Sequence, residues 1–104
     1  MALTRSFKET IKARADRDPE FRVAMLQEAI DAFLNAVIQT GKTILRDYVN
    51  ATVGFEELGS QLHKNPKSLM RMLSEQGNPR ADNLFAVVAH LKQQEGVALD
   101  LPPK

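Results

Sequence analysis

Apolar residues recur along most of this chain at spacings of three and four, which is the period of an amphipathic α-helix. No Asn-Gly pair marks a hairpin, and sustained alternation of apolar and polar residues is absent. The pattern therefore predicts an all-α protein with five or six helices. Residues 97–101 alternate weakly and are compatible with one short C-terminal strand.

The amino-terminal part, residues 1–53, is predicted to be wholly helical. Thr4 or Ser6 can cap the first helix, and Asp18-Pro19 ends it and opens a second. The apolar period then continues for over thirty residues, too long for one helix of a compact domain, so we expect a break between Asn35 and Gly41. The expected core face of this part comprises Phe7, Ile11, Ala15, Leu26, Ile30, Phe33, Leu34, Val37, Ile38, Ile44, Leu45, Tyr48 and Val49.

Residues 55–74 form the most informative stretch, a pair of short helices joined by a tight turn. Gly59 has no side chain beyond hydrogen where a crossing helix must come close, and Asn65-Pro66 supplies a cap and a first residue for the second helix. Leu69, Met72 and Leu73 are predicted to point inward, leaving Lys67, Ser68, Arg71 and Ser74 outside. This arrangement matches a helix-turn-helix, but a plain helical corner with a solvated face shows the same spacing.

A single domain is predicted over residues 1–104. Its third part, residues 80–101, comprises a helix and a tail. Gly77 is expected to provide a left-handed cap before it, and Gly96 to stop the helix near Gln94. Its predicted buried residues are Leu84, Phe85, Val87, Val88 and Leu91.

Composition excludes several classes of protein. The chain has no cysteine, which excludes disulfides and thiolate metal sites, and no secretory signal or membrane-spanning run is recognisable. We therefore expect a soluble, cytoplasmic protein. No cysteine nucleophile, glycine-rich phosphate loop or metal-ligand spacing of histidines is present, so we expect neither an enzyme nor a cofactor.

Charge is distributed unevenly although the net charge is only +1. Between His63 and Arg80, four cations (Lys64, Lys67, Arg71 and Arg80) face a single anion, Glu75. Charge alone is compatible with an ordinary solvated face.

The segment from Leu45 to Leu99 resembles the addiction-module antidote (antitoxin) branch of the lambda-repressor-like (XRE-type) helix-turn-helix transcriptional regulators. The resemblance is carried by the runs FEELGSQL, SLMRMLSEQGNP and NLFAVVAHL. It implies a lambda-repressor-like DNA-binding domain with a helical N-terminal extension. The family commonly has glycine where His63 stands, so His63 must either adopt a strained backbone or widen the turn.

The resemblance further implies an autorepressing antitoxin that binds operator DNA as a homodimer and neutralises a RelE-like ribonuclease toxin. The predicted base-reading residues are Lys67, Ser68 and Arg71, and the predicted phosphate contacts are Gln61, Lys64, Asn65, Asn78 and Arg80. Two alternatives remain open: a stand-alone regulator without a toxin, and a helical protein–protein adaptor that does not bind DNA.

Overall fold

The computed structural model describes residues 5–96, which form six α-helices and, within that range, no strand. The helices are α1 (Arg5–Arg17), α2 (Pro19–Leu34), α3 (Ile38–Ala51), α4 (Phe55–Leu62), α5 (Pro66–Met72) and α6 (Ala81–Glu95). The all-α prediction is confirmed. The cap at Thr4 and the strand predicted over residues 97–101 lie outside the described residues. None of the six helices is long and apolar enough to cross a membrane.

The boundary between α1 and α2 follows directly from Asp18 and Pro19. The Asp18 carboxylate accepts the backbone N–H of Phe21 at 3.2 Å, and Pro19 occupies the first helical position. Both interactions suit the start of a helix, where backbone N–H groups lack intrahelical partners and proline has no N–H to satisfy. The predicted boundary is confirmed.

The predicted break in the long apolar run occurs at residues 35–37. Ala36 has a positive φ of 62°, which lies in the left-handed region that a Cβ atom disfavours. The reversal packs α3 against α2, and Gly41 of α3 faces Phe33 of α2. A Cβ at Gly41 would lie 2.6 Å from the Phe33 ring, so only glycine allows this packing.

The core contains fifteen buried apolar residues contributed by α2 to α6 and by Leu73, which follows α5. Outside α1, four predicted core residues are instead exposed by 41% to 52%: Leu34, Val37, Ile38 and Phe85. The first three lie at the corner between α2 and α3, beyond Phe33, which is the last buried residue of α2. Phe85 lies about 100° around α6 from Leu84, outside the stripe of buried residues.

The first helix contributes little to the core. Its predicted apolar stripe is buried only at Ala15, while Ile11 is half-buried and Phe7 is 48% exposed. The α1 helix contacts α2 and α3 among the described elements. The prediction of a core face along α1 was therefore correct only near its C-terminal end.

A polar network joins four helices around Glu95 of α6. Arg22 Nε donates to the two carboxylate oxygens of Glu95 at 3.2 and 3.3 Å, and Arg22 Nη1 donates to the Ala15 carbonyl at 2.6 Å. The Tyr48 hydroxyl also donates to Glu95. Burial raises the pKa of Tyr48 well above its usual value, and the hydrogen bond to the carboxylate raises it further. The network connects α1, α2, α3 and α6.

Candidate nucleic-acid interface

The turn between α4 and α5 has the geometry of a tight left-handed corner. His63 follows the last residue of α4 with φ 56° and ψ 43°, in the left-handed region, and the Lys64 N–H donates to the Gly59 carbonyl at 2.9 Å. His63 therefore adopts the strained backbone rather than widening the turn. The cost for a residue with a Cβ is on the order of 1 kcal/mol.

Gly59 permits this corner because the chain passes directly over it. A Cβ at position 59 would lie 2.7 Å from the Lys64 carbonyl oxygen and 3.0 Å from Pro66 Cγ. Real side chains do not accommodate contacts this short. The predicted close approach at Gly59 is confirmed, and the approaching groups belong to the turn and the first residue of α5.

The second helix of the pair is capped and oriented as the sequence predicts. Asn65 Oδ1 accepts the Lys67 N–H at 2.8 Å, and Pro66 is the first helical residue. The inward side is secured by Leu69 and by Leu73, which follows the helix; both are at least 98% buried. The three predicted base-reading residues are all exposed on the outward side: Lys67, Ser68 and Arg71.

The C-terminal end of α5 is closed differently from the prediction. Gly77 does not have a positive φ and is not a left-handed cap. Instead, a Cβ there would lie 2.1 Å from the Arg71 carbonyl oxygen and 2.7 Å from that of Met72. Glycine is needed at position 77 because the chain folds back against the end of the helix.

Two cations of α3 hold the segment that follows α5. Lys42 is 99% buried, and its Nζ donates to the carbonyls of Gly77 at 2.7 Å and Glu75 at 3.3 Å. Arg46 Nη1 donates to the Leu73 carbonyl at 3.3 Å. Sequence reasoning missed both residues. The available signal was that Lys42 lies three residues before Leu45 and seven before Val49, on an otherwise apolar stripe.

Five of the eight predicted site residues line one open cleft of about 380 Å³ between the start of α5 and the loop that precedes α6. They are Lys64, Asn65, Ser68, Asn78 and Arg80. Asn83 of α6 also lines the cleft and was not predicted. The cleft thus gathers polar and cationic side chains from the segments before and after α5, which are the types of side chain that contact phosphate oxygens.

The three remaining predicted residues lie elsewhere. Lys67 and Arg71 occupy the outward face of α5 and do not line the cleft. Gln61 is hydrogen-bonded to neighbouring side chains, because its Oε1 lies 2.7 Å from His90 Nε2 and its Nε2 donates to Glu57 at 3.3 Å. The geometry therefore does not bring Gln61 to the cleft.

Most cations of this surface have no anionic partner among residues 5–96. Arg80 forms a pair with Asp82 at 3.4 Å, but both side chains are more than 65% exposed and such pairs contribute little. Within residues 5–96, Lys64, Lys67 and Arg71 form no salt bridge. The outward side of α5 and its turn thus present three unpaired positive charges to solvent.

Comparisons with protein families, curated proteins and solved structures found no match to this chain.

Proposed function

We propose that this protein is a sequence-specific DNA-binding transcriptional regulator, in which α4 and α5 form a helix-turn-helix and α5 enters the major groove. The observation that supports this most strongly is the outward face of α5, where Lys67 and Arg71 are exposed and form no salt bridge within residues 5–96 while the opposite side of the helix is buried. Lys and Arg side chains match the O6 and N7 acceptors of guanine, and Ser68 can bond to several bases.

The cleft beside α5 has the complementary role in this proposal. Lys64, Asn65, Asn78 and Arg80 lie along it and suit contacts to phosphate oxygens, which fix the register of a protein on DNA without reading sequence. Gln61 is not included in this proposed role because both polar atoms of its side chain have partners within the protein.

A homodimer is part of the proposal because α5 is short. Its seven residues span about 10 Å, enough to follow about three base pairs. Two copies on half-sites about one helical turn apart would supply the missing specificity. Sedimentation at micromolar concentration, with and without bound DNA, checks this, and a strictly monomeric mass under both conditions would contradict it.

Replacement of Arg71 by Ala tests the base-reading role directly. With DNA from immediately upstream of the protein's own gene, we expect a loss of about 1–3 kcal/mol in binding free energy and relaxed preference at one base position. The matched control is Arg17→Ala, which removes an exposed cation from α1 and should leave base preference unchanged. Unchanged affinity of a folded Arg71→Ala variant would exclude Arg71 from base reading.

The salt dependence of binding separates this proposal from the alternative of a protein–protein adaptor. Contacts to phosphates release counterions, so the logarithm of the binding constant should fall linearly and steeply with the logarithm of salt concentration. Absence of salt-sensitive duplex binding would favour the adaptor.

We further propose that the protein is the autorepressing antitoxin of a toxin–antitoxin module, a proposal supported by the resemblance of its motifs. The partner would be a RelE-like ribonuclease toxin encoded by the neighbouring gene. Co-expression of the two gene products should yield a stable complex and relieve the growth arrest caused by the toxin alone. A neighbouring gene that encodes no such ribonuclease would instead favour a stand-alone regulator.

A further inference from the structure

Met70 interrupts the amphipathic pattern of α5. It is 42% exposed, whereas Leu69 and Leu73 are buried and Met72 packs against the core. The face that carries Lys67 and Arg71 therefore also carries one large apolar side chain. Neither the fold nor the proposed contacts to guanine and phosphate require an apolar residue there.

The position of Met70 relative to the cations is defined by helical geometry. Met70 follows Lys67 by three residues, so the two side chains lie on the same side of α5, about 60° apart. Ser68 lies on the opposite edge of this face, beside the cleft. The reading face thus has a polar edge at Ser68, cations in the middle, and an apolar edge at Met70.

The distance between positions 67 and 70 along the helix axis corresponds to the distance between neighbouring base pairs. Three residues advance the helix by about 4.5 Å, close to the 3.4 Å rise of one base step. A residue at position 70 would therefore reach a base pair adjacent to the one that Lys67 contacts.

The chemistry of the major groove offers a specific partner for such a side chain. Among the four unmodified bases, the C5 methyl of thymine is the apolar group displayed there. A methionine thioether is flexible and polarisable and adapts to small apolar groups. We propose that Met70 reads the methyl group of a thymine next to the guanine contacted by Lys67 or Arg71, an inference that rests on the proposed DNA-binding function.

The test replaces single thymines by deoxyuridine, which removes only the methyl group and preserves base pairing. Duplexes bound by the wild-type protein are first selected from a random-sequence library, and each thymine is then replaced in turn. At one thymine per half-site, this replacement should weaken wild-type binding about fourfold. Burial of one methyl group contributes about 0.8 kcal/mol, and 1.4 kcal/mol corresponds to a tenfold change in affinity.

Variants at position 70 assign that effect to the side chain. Met70→Ala should bind the thymine duplex about fourfold more weakly per half-site and should no longer distinguish thymine from deoxyuridine. Met70→Leu should retain the preference, whereas the polar variant Met70→Gln should lose it. Circular dichroism of each variant checks that the helices are intact.

Three results would overturn the inference while leaving DNA binding in place: a selected site without thymine, equal wild-type affinity for every deoxyuridine duplex, or a Met70→Ala variant that still prefers thymine. Failure of the selection to yield any salt-sensitive duplex would overturn both the inference and the proposed function.

Discussion

In the scaffold formed by α1, α2, α3 and α6, the Glu95 carboxylate is enclosed by Arg22 and Tyr48, which both donate to it. On the outward face of α5, Lys67 and Arg71 are exposed and have no salt bridge among residues 5–96. Charge in the first region is satisfied within the protein and stabilises the fold. Charge in the second region has no partner among residues 5–96 and, under the proposed function, would meet an anionic ligand, so the two regions should respond to mutation in different measurements.

The largest effect on stability is expected from Glu95→Ala. Only 7% of the Glu95 side chain and 26% of the Arg22 side chain are exposed, so the variant leaves a largely buried guanidinium without its anion. We expect a loss of about 3 kcal/mol in the free energy of unfolding, measured by urea denaturation. DNA affinity of the folded fraction should be unchanged.

The matched control for Glu95→Ala is Asp16→Ala. It breaks the Lys12–Asp16 pair, whose side chains are 54% and 62% exposed, and should change stability by less than about 0.5 kcal/mol. Equal losses in the two variants would show that the Glu95 network does not stabilise the scaffold as described.

Lys42→Met should affect both stability and DNA binding, because Lys42 joins the scaffold to the segment after α5. Methionine keeps the length of the side chain but cannot donate to the carbonyls of Glu75 and Gly77. We expect a loss of about 2 kcal/mol in the free energy of unfolding. DNA affinity should also fall below that of wild type, because the released segment leads into Asn78 and Arg80 at the wall of the cleft.

The control for Lys42→Met is Thr43→Ala, since the exposed Thr43 hydroxyl bonds only to Gln39 of its own helix. It should leave DNA affinity unchanged. A folded Lys42→Met variant that binds DNA as tightly as wild type would show that α3 does not position the cleft.

The two regions share one feature, because each contains a residue other than glycine in the left-handed conformation. Substitutions at these two residues are expected to have the smallest effects. Ala36 lies at the corner between α2 and α3, and His63 lies in the turn before α5. Ala36→Gly and His63→Gly should each stabilise the protein by about 0.5–1 kcal/mol, because glycine adopts positive φ without strain. Thermal unfolding of the two variants checks this, and a lower midpoint for either would contradict it.

Features that depend on neighbouring residues were predictable from the sequence. The caps at Asp18 and Asn65 and the close approach at Gly59 are set within a few residues, so local physical chemistry identifies them. At His63 the sequence left a strained backbone and a widened turn as alternatives, and the structure shows the strained backbone. The outward placement of the proposed base-reading residues also followed from helical spacing.

Features that depend on distant partners were not predictable in this way. The Lys42 hydrogen bonds span 33 and 35 residues, that between His90 and Gln61 spans 29, and that between Arg22 and Glu95 spans 73. The sequence likewise predicted that Phe85 is buried, whereas its side chain is 51% exposed because no described helix covers it. The spacing of apolar residues predicts which side of a helix is apolar, whereas burial of that side also requires another part of the protein to pack against it.

Gly59 and Gly77 also show which positions in and around α4 and α5 do not tolerate change. At both positions any side chain would collide with backbone carbonyl oxygens, so hydrogen alone is accommodated. The outward residues of α5 have the opposite character, because their side chains project into solvent and contribute little to packing. Positions that the fold requires and positions that the proposed recognition would use are therefore separate, although only a few residues apart. If α5 binds DNA as proposed, its target sequence could be redesigned by substitution on that face while the same backbone is retained.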